Sequence, residues 1–312
     1  MVNPSGPVVC VSYLAYAELW TVPQFPRPNH GERITSIEPS LAADGPMTAA
    51  VLASLGVPSL LLSNDIGNDD CGRFVQQWLT ERHVEARFNA RPETNTPRIV
   101  VAADEDHTRT WFAHLPGVVD SLEQVDLAPI VEASFLYLDC YELIERAALR
   151  VIDVGCAAQV PMLLNLGGSA LSERMAPVLA GNPNLLLQTN VDDINHREAP
   201  GIARTLLEQT GARWVIVTAG SFGAVAVSDA EEVAVLAFRV DVRHTHCAGA
   251  AFSGGLLYGL RAGWPMERSM VLGSASAALR CVRPHNAPLP TRVELERLLT
   301  HHSSGEEVAT LG

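Results

Sequence analysis

Residues 244–260, HTHCAGAAFSGGLLYGL, run from an extended segment through small side chains straight into a helical pattern. Small residues at a helix start leave the first backbone N–H groups bare, and with the helix dipole these form a site for an anion. Cys247, Ala248, Gly249 and Ala250 would supply those groups; close helix packing explains the same residues without a ligand. A second segment, TAGSFGAVAV at 218–227, is a strand that ends in a glycine-rich turn and re-enters a strand. Gly220 and Gly223 either let backbone approach a phosphate or supply positive φ in a tight hairpin, and taken alone the hairpin is the stronger reading. Ser221 is not a hydrolase nucleophile, since its spacing is wrong and no helix follows the turn. A third segment, IGNDDCGRF at 66–74, sets Asp69 and Asp70 at a strand-to-helix junction, where helix capping accounts for a carboxylate.

These segments need a scaffold. Strands are expected at Val8–Leu14, Ser59–Ser63, Phe135–Asp139, Met162–Asn165, Leu185–Gln188 and Trp214–Thr218. Helices are expected between them at Pro46–Leu55, Cys71–His83, Leu143–Val154, Leu171–Leu179 and Ala199–Gln209, and later at Ala248–Ala262, Met266–Val282 and Arg292–Thr300. The alternation predicts an α/β fold, a mainly parallel sheet with helices on both faces. Residues 22–42 and 96–115 are polar and extended and read as strands of a small separate sheet, a lid over a site at the carboxyl ends of the main strands. One folded unit over 1–302 with this lid is expected, followed by a flexible tail at 303–312.

Composition narrows the partners. The 312 residues carry 22 Lys+Arg against 35 Asp+Glu, a formal charge of −13, and 47% are hydrophobic. Such a chain buries a large core, and its acidity disfavours nucleic acid and anionic membrane surfaces. No uninterrupted apolar run of about 18 residues occurs, and the N-terminus lacks a basic region before its apolar stretch, which Glu18 breaks. Six scattered cysteines without a C-x-x-C pair read as reduced thiols of a cytoplasmic protein.

In their order and spacing the three segments resemble the ribokinase (PfkB) family of sugar and nucleoside kinases, from about residue 7 to residue 300. Gly67-Asn68-Asp69-Asp70-Cys71-Gly72 is similar to the family's early G-x-D-x-x-G. Asn190-Val191-Asp192-Asp193 matches its N-x-x-E, associated with magnesium and phosphate, with Asp for Glu, and Thr218, Gly220 and Gly223 match its T-x-G-x-x-G nucleotide segment. The signature D-T-x-G-A-G-D-x-F falls on His244-Thr245-His246-Cys247-Ala248-Gly249-Ala250-Ala251-Phe252. The resemblance implies a ribokinase-like parallel sheet between helices with a β-lid, a homodimer through that lid, Mg·ATP as phosphoryl donor with Asp193 toward the metal, and a hydroxymethyl acceptor. No structural metal is expected.

The chain also departs from the pattern. The signature's last Asp, the family's general base, is Ala250, which accepts no proton; its first Asp is His244 and its first Gly is Cys247. The family's sugar-binding Asp falls on Ala17, and its Gly-Gly pair and Asn fall on Ala42, Ala43 and Met47, with Asp44 and Gly45 close by. His244 or His246 could replace the base, but both precede the helix start where the lost carboxylate sits. A zinc site of His244, His246 and Cys247 lacks a fourth ligand, so solvated loop histidines are the preferred account. His285 and Asn286 read as a turn near the adenine end. The expectation is a nucleotide- and metabolite-binding kinase homologue with impaired catalysis. Its rivals are a non-catalytic nucleotide- or metabolite-binding regulatory protein, an active kinase with an atypical acceptor, and a structural dimer that binds nothing.

Overall fold

The computed structural model describes residues 5–106 and 108–304, so most of the expected tail lies outside the described residues. Its main sheet joins β1 (Val8–Val11), β4 (Ser59–Leu62), β6 (Glu85–Arg87), β10 (Phe135–Asp139), β11 (Met162–Asn165), β12 (Leu185–Asn190), β13 (Trp214–Thr218), β14 (Ala224–Val227) and β15 (Glu232–Val235). The order is β15-β14-β13-β12-β11-β10-β1-β4-β6. Every pairing from β6 to β13 is parallel, and β14 and β15 add an antiparallel edge. The central strands are short, near-continuous Leu, Val and Ile runs because both faces are covered.

The strand period of two divides these side chains between two cores. Val8, Cys10, Leu61, Tyr137 and Leu163 pack with α1 (Asp44–Ser54), α2 (Asp70–Glu81), α7 (Ala248–Arg261), α8 (Met266–Cys281) and α9 (Arg292–Ser304). Val9, Leu60, Leu136, Leu138 and Leu164 pack with α4 (Glu145–Ala157), α5 (Met175–Leu179) and α6 (Ala199–Thr210). The short α3 (Val118–Glu123) closes a smaller cluster with Ile144 and Ala147.

A separate sheet has the order β3-β2-β8-β9, from β2 (Ala15–Thr21), β3 (Ser36–Ala42), β8 (Arg98–Ala103) and β9 (Arg109–His114). Residues 22–35 join β2 to β3 outside the sheet; Pro23, Pro26 and Pro28 there have no N–H for a ladder. The pair β5 (Ile66–Gly67) and β7 (Ala90–Arg91) stands apart. Two expected elements are shorter. β1 stops at Val11 because the Leu14 N–H turns to Asn64 Oδ1 at 2.8 Å. The helix expected from Leu171 begins at Met175, where the chain leaves a turn whose Gly167 and Gly168 hold positive φ and Ser172 Oγ accepts the Met175 N–H.

Candidate functional site

The carboxyl ends of β1, β10, β11, β12 and β13 and the starts of α1 and α7 meet along one edge of the main sheet. α7 begins at Ala248, with Cys247 before it at φ 59°, a left-handed conformation that favours glycine. The Ala248 N–H donates to Thr245 O at 3.2 Å, whereas those of Gly249 and Ala250 meet no acceptor among the described residues. A Cβ built on Gly249 finds no atom within 4 Å, so space adjoins Gly249.

Ala250 itself is 0% exposed. It shares the larger core with Met47, also fully buried, and its carbonyl accepts the Thr48 Oγ1 hydrogen at 3.2 Å from α1. Ala17 and Ala42 lie in another apolar cluster with Ala15, Leu19 and Ile99, on the small sheet. Ala43, before α1, holds φ 75° and ψ 157°, a region that suits glycine alone. At Ala43 and Cys247 the backbone thus keeps the shape that glycine permits while the residue carries a Cβ.

Asn190, Asp193, Thr218, Gly220 and Gly223 do come together. Asn190 ends β12 opposite Thr218 of β13, and the Val191 N–H donates to Thr218 O at 2.9 Å. Asp193 Oδ2 accepts the Ser221 hydroxyl at 2.5 Å and the Ser221 N–H at 3.3 Å. Gly220 holds φ 52°, and a Cβ there would stand 1.8 Å from Asp193 Oδ1. The turn is also the hairpin between β13 and β14, with the Ala219 N–H on Gly223 O at 2.8 Å. α7 is tied to this end, since the Ser253 hydroxyl donates to Gln188 Oε1 of β12 at 2.9 Å. Asp69 caps α2, accepting the Gly72 N–H at 2.7 Å.

Sequence reasoning missed a buried polar network at the ends of β1, β10 and β11 and the start of α1. Asp139, at the end of β10, accepts from the Ser12 hydroxyl (2.5 Å), the Gly45 N–H (2.9 Å), the Tyr137 hydroxyl (2.9 Å) and Asn165 Nδ2 (3.1 Å). Four donors fill the four lone-pair positions of a carboxylate. Burial, then the neighbouring Asp44, lifts the Asp139 carboxyl to about 7. Asp44 Oδ2 accepts from the Tyr141 hydroxyl (2.7 Å) and Asn165 Nδ2 (2.9 Å), while its Oδ1 has no hydrogen bond within the described residues. The signal was polar residues closing apolar parallel strands, where such sheets bind ligands.

The loop histidines differ from expectation: His244 and His246 are buried rather than solvated. The small sheet is docked onto their loop. His246 Nε2 lies 3.1 Å from Leu41 O and 3.2 Å from Ser40 Oγ, and Arg109 Nη1 donates to Thr245 O at 2.9 Å. A carbonyl only accepts, so Nε2 carries the His246 proton. Burial, reinforced by Arg280, holds this imidazole well below the usual histidine range. His244 Nε2 donates to Arg283 O at 2.8 Å, and its ring stacks on His285 at 3.9 Å, within the turn 284–287. Among the described residues no cluster of three His, Cys, Asp or Glu is arranged to hold a metal ion.

Residues 44–292 match the pfkB family of carbohydrate kinases. The aminoimidazole riboside kinase of Salmonella typhimurium is 25% identical over 264 residues, 76% of this chain and 81% of that protein. The fold is similar to a nucleoside kinase of Methanocaldococcus jannaschii, with TM-score 0.77, 20% identity, and coverage of 95% of this chain and 98% of that one. It is similar also to the ribokinase of Arabidopsis thaliana complexed with ribose and ATP, with TM-score 0.73, 17% identity, and coverage of 96% and 99%.

Proposed function

This chain belongs to the pfkB family of carbohydrate kinases, and from that premise we propose that it binds Mg·ATP but is impaired in passing the phosphoryl group to a sugar or nucleoside hydroxymethyl. One observation carries the reading. At the α7 start, where the resemblance puts a general base, stands a fully buried alanine, and of the nearby proton acceptors Asp139 and His246 are engaged. Asp139 has its lone pairs filled, and His246 is held by Leu41 and Ser40.

General-base catalysis is worth roughly 10²- to 10⁴-fold, or about 3–5 kcal/mol of barrier. Phosphoryl transfer depends mostly on positioning and charge stabilisation, so loss of a base alone leaves a slow enzyme. Met47, Ala17 and Ala42 remove the groups that would position an acceptor. The nucleotide side keeps its parts: Gly249 and Ala250 N–H toward a phosphate, and Asn190, Asp193, Thr218, Gly220 and Gly223 around it. Mg²⁺ arriving with ATP keeps phosphate and water ligands and asks for one or two carboxylates, which suits Asp193. When bound, it would neutralise charge on the phosphates.

Two further parts belong to this reading. Trp111 (66% exposed), Phe112 (68%) and Ile37 (57%) on the small sheet support a homodimer through that sheet. The free cysteines, five of six buried, suit the cytoplasm, and among the described residues no helix is long and apolar enough to cross a membrane.

Asp44 favours a second reading, an active kinase with an atypical acceptor, because Oδ1 stays available for a proton. Thermal shift with millimolar Mg·ATP and turnover on a panel of pentoses, ribosides and aminosugars separate the two. We expect a raised Tm and no turnover near the ordinary rate of about 1 s⁻¹. Ordinary turnover that Asp44→Asn abolishes establishes the second reading, and no ATP shift refutes both.

A further inference from the structure

Asp193 heads the short helical turn Asp193–Glu198, beside the turn Gly220–Phe222 that joins β13 to β14. Two backbone N–H groups of the second turn are used within it: Phe222 donates to Ala219 O at 3.0 Å and Gly223 to Gly220 O at 3.2 Å. The Ser221 N–H and hydroxyl leave the turn instead, and both end on one atom, Asp193 Oδ2. The other oxygen, Oδ1, lies so near Gly220 that a Cβ there would overlap it. Both carboxylate oxygens thus rest on the turn, on donors of the kind that take up anions. Among the described residues no Arg or His forms an ion pair with Asp193, so Ser221 is what answers its charge.

The backbone of Asp193 is fastened by other means. His196 Nδ1 donates to the Asp193 carbonyl at 2.8 Å, and the His196 ring stacks on Phe222 with 3.6 Å between centroids and 3° between planes. The two turns therefore stay side by side if the carboxylate leaves. Rotation of one exposed side chain is the whole movement required. Charge-assisted hydrogen bonds to Ser221 compete with an incoming anion for the same donors, and at an exposed site they yield to a cation that offers the carboxylate more.

We propose that Asp193, resting on Ser221, reserves this turn for a nucleotide that arrives with its metal ion. In that position the carboxylate occupies the donors a phosphate oxygen would use and repels a bare polyphosphate. Magnesium is a hard cation that takes carboxylate oxygen. With Mg·ATP, Asp193 leaves Ser221 for the metal, and the Ser221 N–H and hydroxyl become free for a phosphate oxygen. The inference rests on the nucleotide reading above and adds a specificity to it, since the chain then tells metal-loaded from metal-free nucleotide by a charge it already carries.

Calorimetric titration of the full chain with ATP, once with magnesium and once in EDTA, tests this. The parent should bind Mg·ATP and bind metal-free ATP more weakly. Asp193→Ala should bind metal-free ATP about tenfold more tightly than the parent does and gain nothing toward Mg·ATP, so that the preference for the metal complex collapses. Asp192→Ala removes the same charge one residue away, from a side chain that accepts no bond from Ser221. It should move the metal-free affinity by less than about twofold, because an exposed charge at a distance is screened. A merely structural hydrogen bond would lower the Tm of Asp193→Ala and leave the ratio of the two affinities as in the parent, which overturns the proposal; so does an equal gain in Asp192→Ala. A parent that binds Mg·ATP, with no metal-free gain in Asp193→Ala, overturns this inference alone, whereas binding of neither form by either chain overturns the nucleotide reading with it.

Discussion

Replacing Asp139 by asparagine isolates the carboxyl buried at the end of β10 beside the start of α1. A carboxyl whose folded value, about 7, lies above the unfolded value of 3.8 binds its proton more tightly in the folded state. Its stabilisation is therefore complete below pH 3.8 and is lost as pH rises toward and through 7. With those two values, the linkage integral gives a loss of roughly 2–3 kcal/mol between pH 5 and pH 8. The Asp139→Asn side chain has no such titration. It does place an amide N–H₂ against donors, since in the parent Asp139 Oδ2 accepts from both Ser12 and the Gly45 N–H. Leaving one buried donor unpaired costs about 1–3 kcal/mol at every pH. Urea unfolding of both proteins at pH 5, 6, 7 and 8 should thus show the variant weaker at pH 5, with the gap closing or reversing by pH 8. Histidine titrations, His246 and His285 included, are common to both chains and cancel in the difference. A constant difference across that range would refute the assignment of a raised carboxyl to Asp139.

Ala43→Gly should stabilise the fold by about 1–3 kcal/mol in urea unfolding, since φ 75° and ψ 157° suit glycine alone. Gly220→Ala should do the reverse by about 1–3 kcal/mol and abolish the Mg·ATP thermal shift, because its Cβ would strike Asp193 Oδ1 from a strained φ. Ala250→Asp should fold about 2–4 kcal/mol less stably, as an uncompensated carboxyl in an apolar core, and show no coupled-assay turnover; activity at about 1 s⁻¹ would mean the missing base is the sole defect. On the homodimer proposal the parent should sediment as a dimer and Trp111→Ser as a monomer; a monomeric parent or an unchanged value refutes an interface at Trp111.

The parallel sheet was legible because its strands are short apolar runs separated by amphipathic helices; Phe135–Asp139, Met162–Asn165 and Trp214–Thr218 match the structure residue for residue. The grouping of Asn190, Thr218, Gly220 and Gly223 was legible too, since the last three belong to one turn and Asn190 faces Thr218 across a single pairing. What stayed hidden depends on distant partners. Ser12, Asp44, Asp139 and Asn165 are scattered over more than 150 positions and look like ordinary strand and helix ends until the sheet brings them together. The histidines misled for the same reason. A loop of polar residues reads as solvated, and nothing local announces that Ser40, Leu41 and His285 close over it.

The two halves of the site differ in who satisfies their polar groups. Beside the start of α1 Tyr141 and Asn165 already fill Asp44 Oδ2, and four donors fill Asp139, whereas Asp44 Oδ1 has no hydrogen bond within the described residues. A hydroxyl directed at the filled atoms must displace an existing bond, so exchange there brings little net affinity. Discrimination of substrate hydroxyls by factors of roughly 10⁴ or more arises where a site's polar groups lie unpaired until the correct ligand comes. Those conditions hold instead at the α7 start, where Gly249 and Ala250 N–H have no acceptor among the described residues and space adjoins Gly249. On the proposed reading, an anionic phosphate meets unpaired donors at the α7 start, while a polyol meets at Asp139 and at Asp44 Oδ2 bonds that the chain already makes to itself.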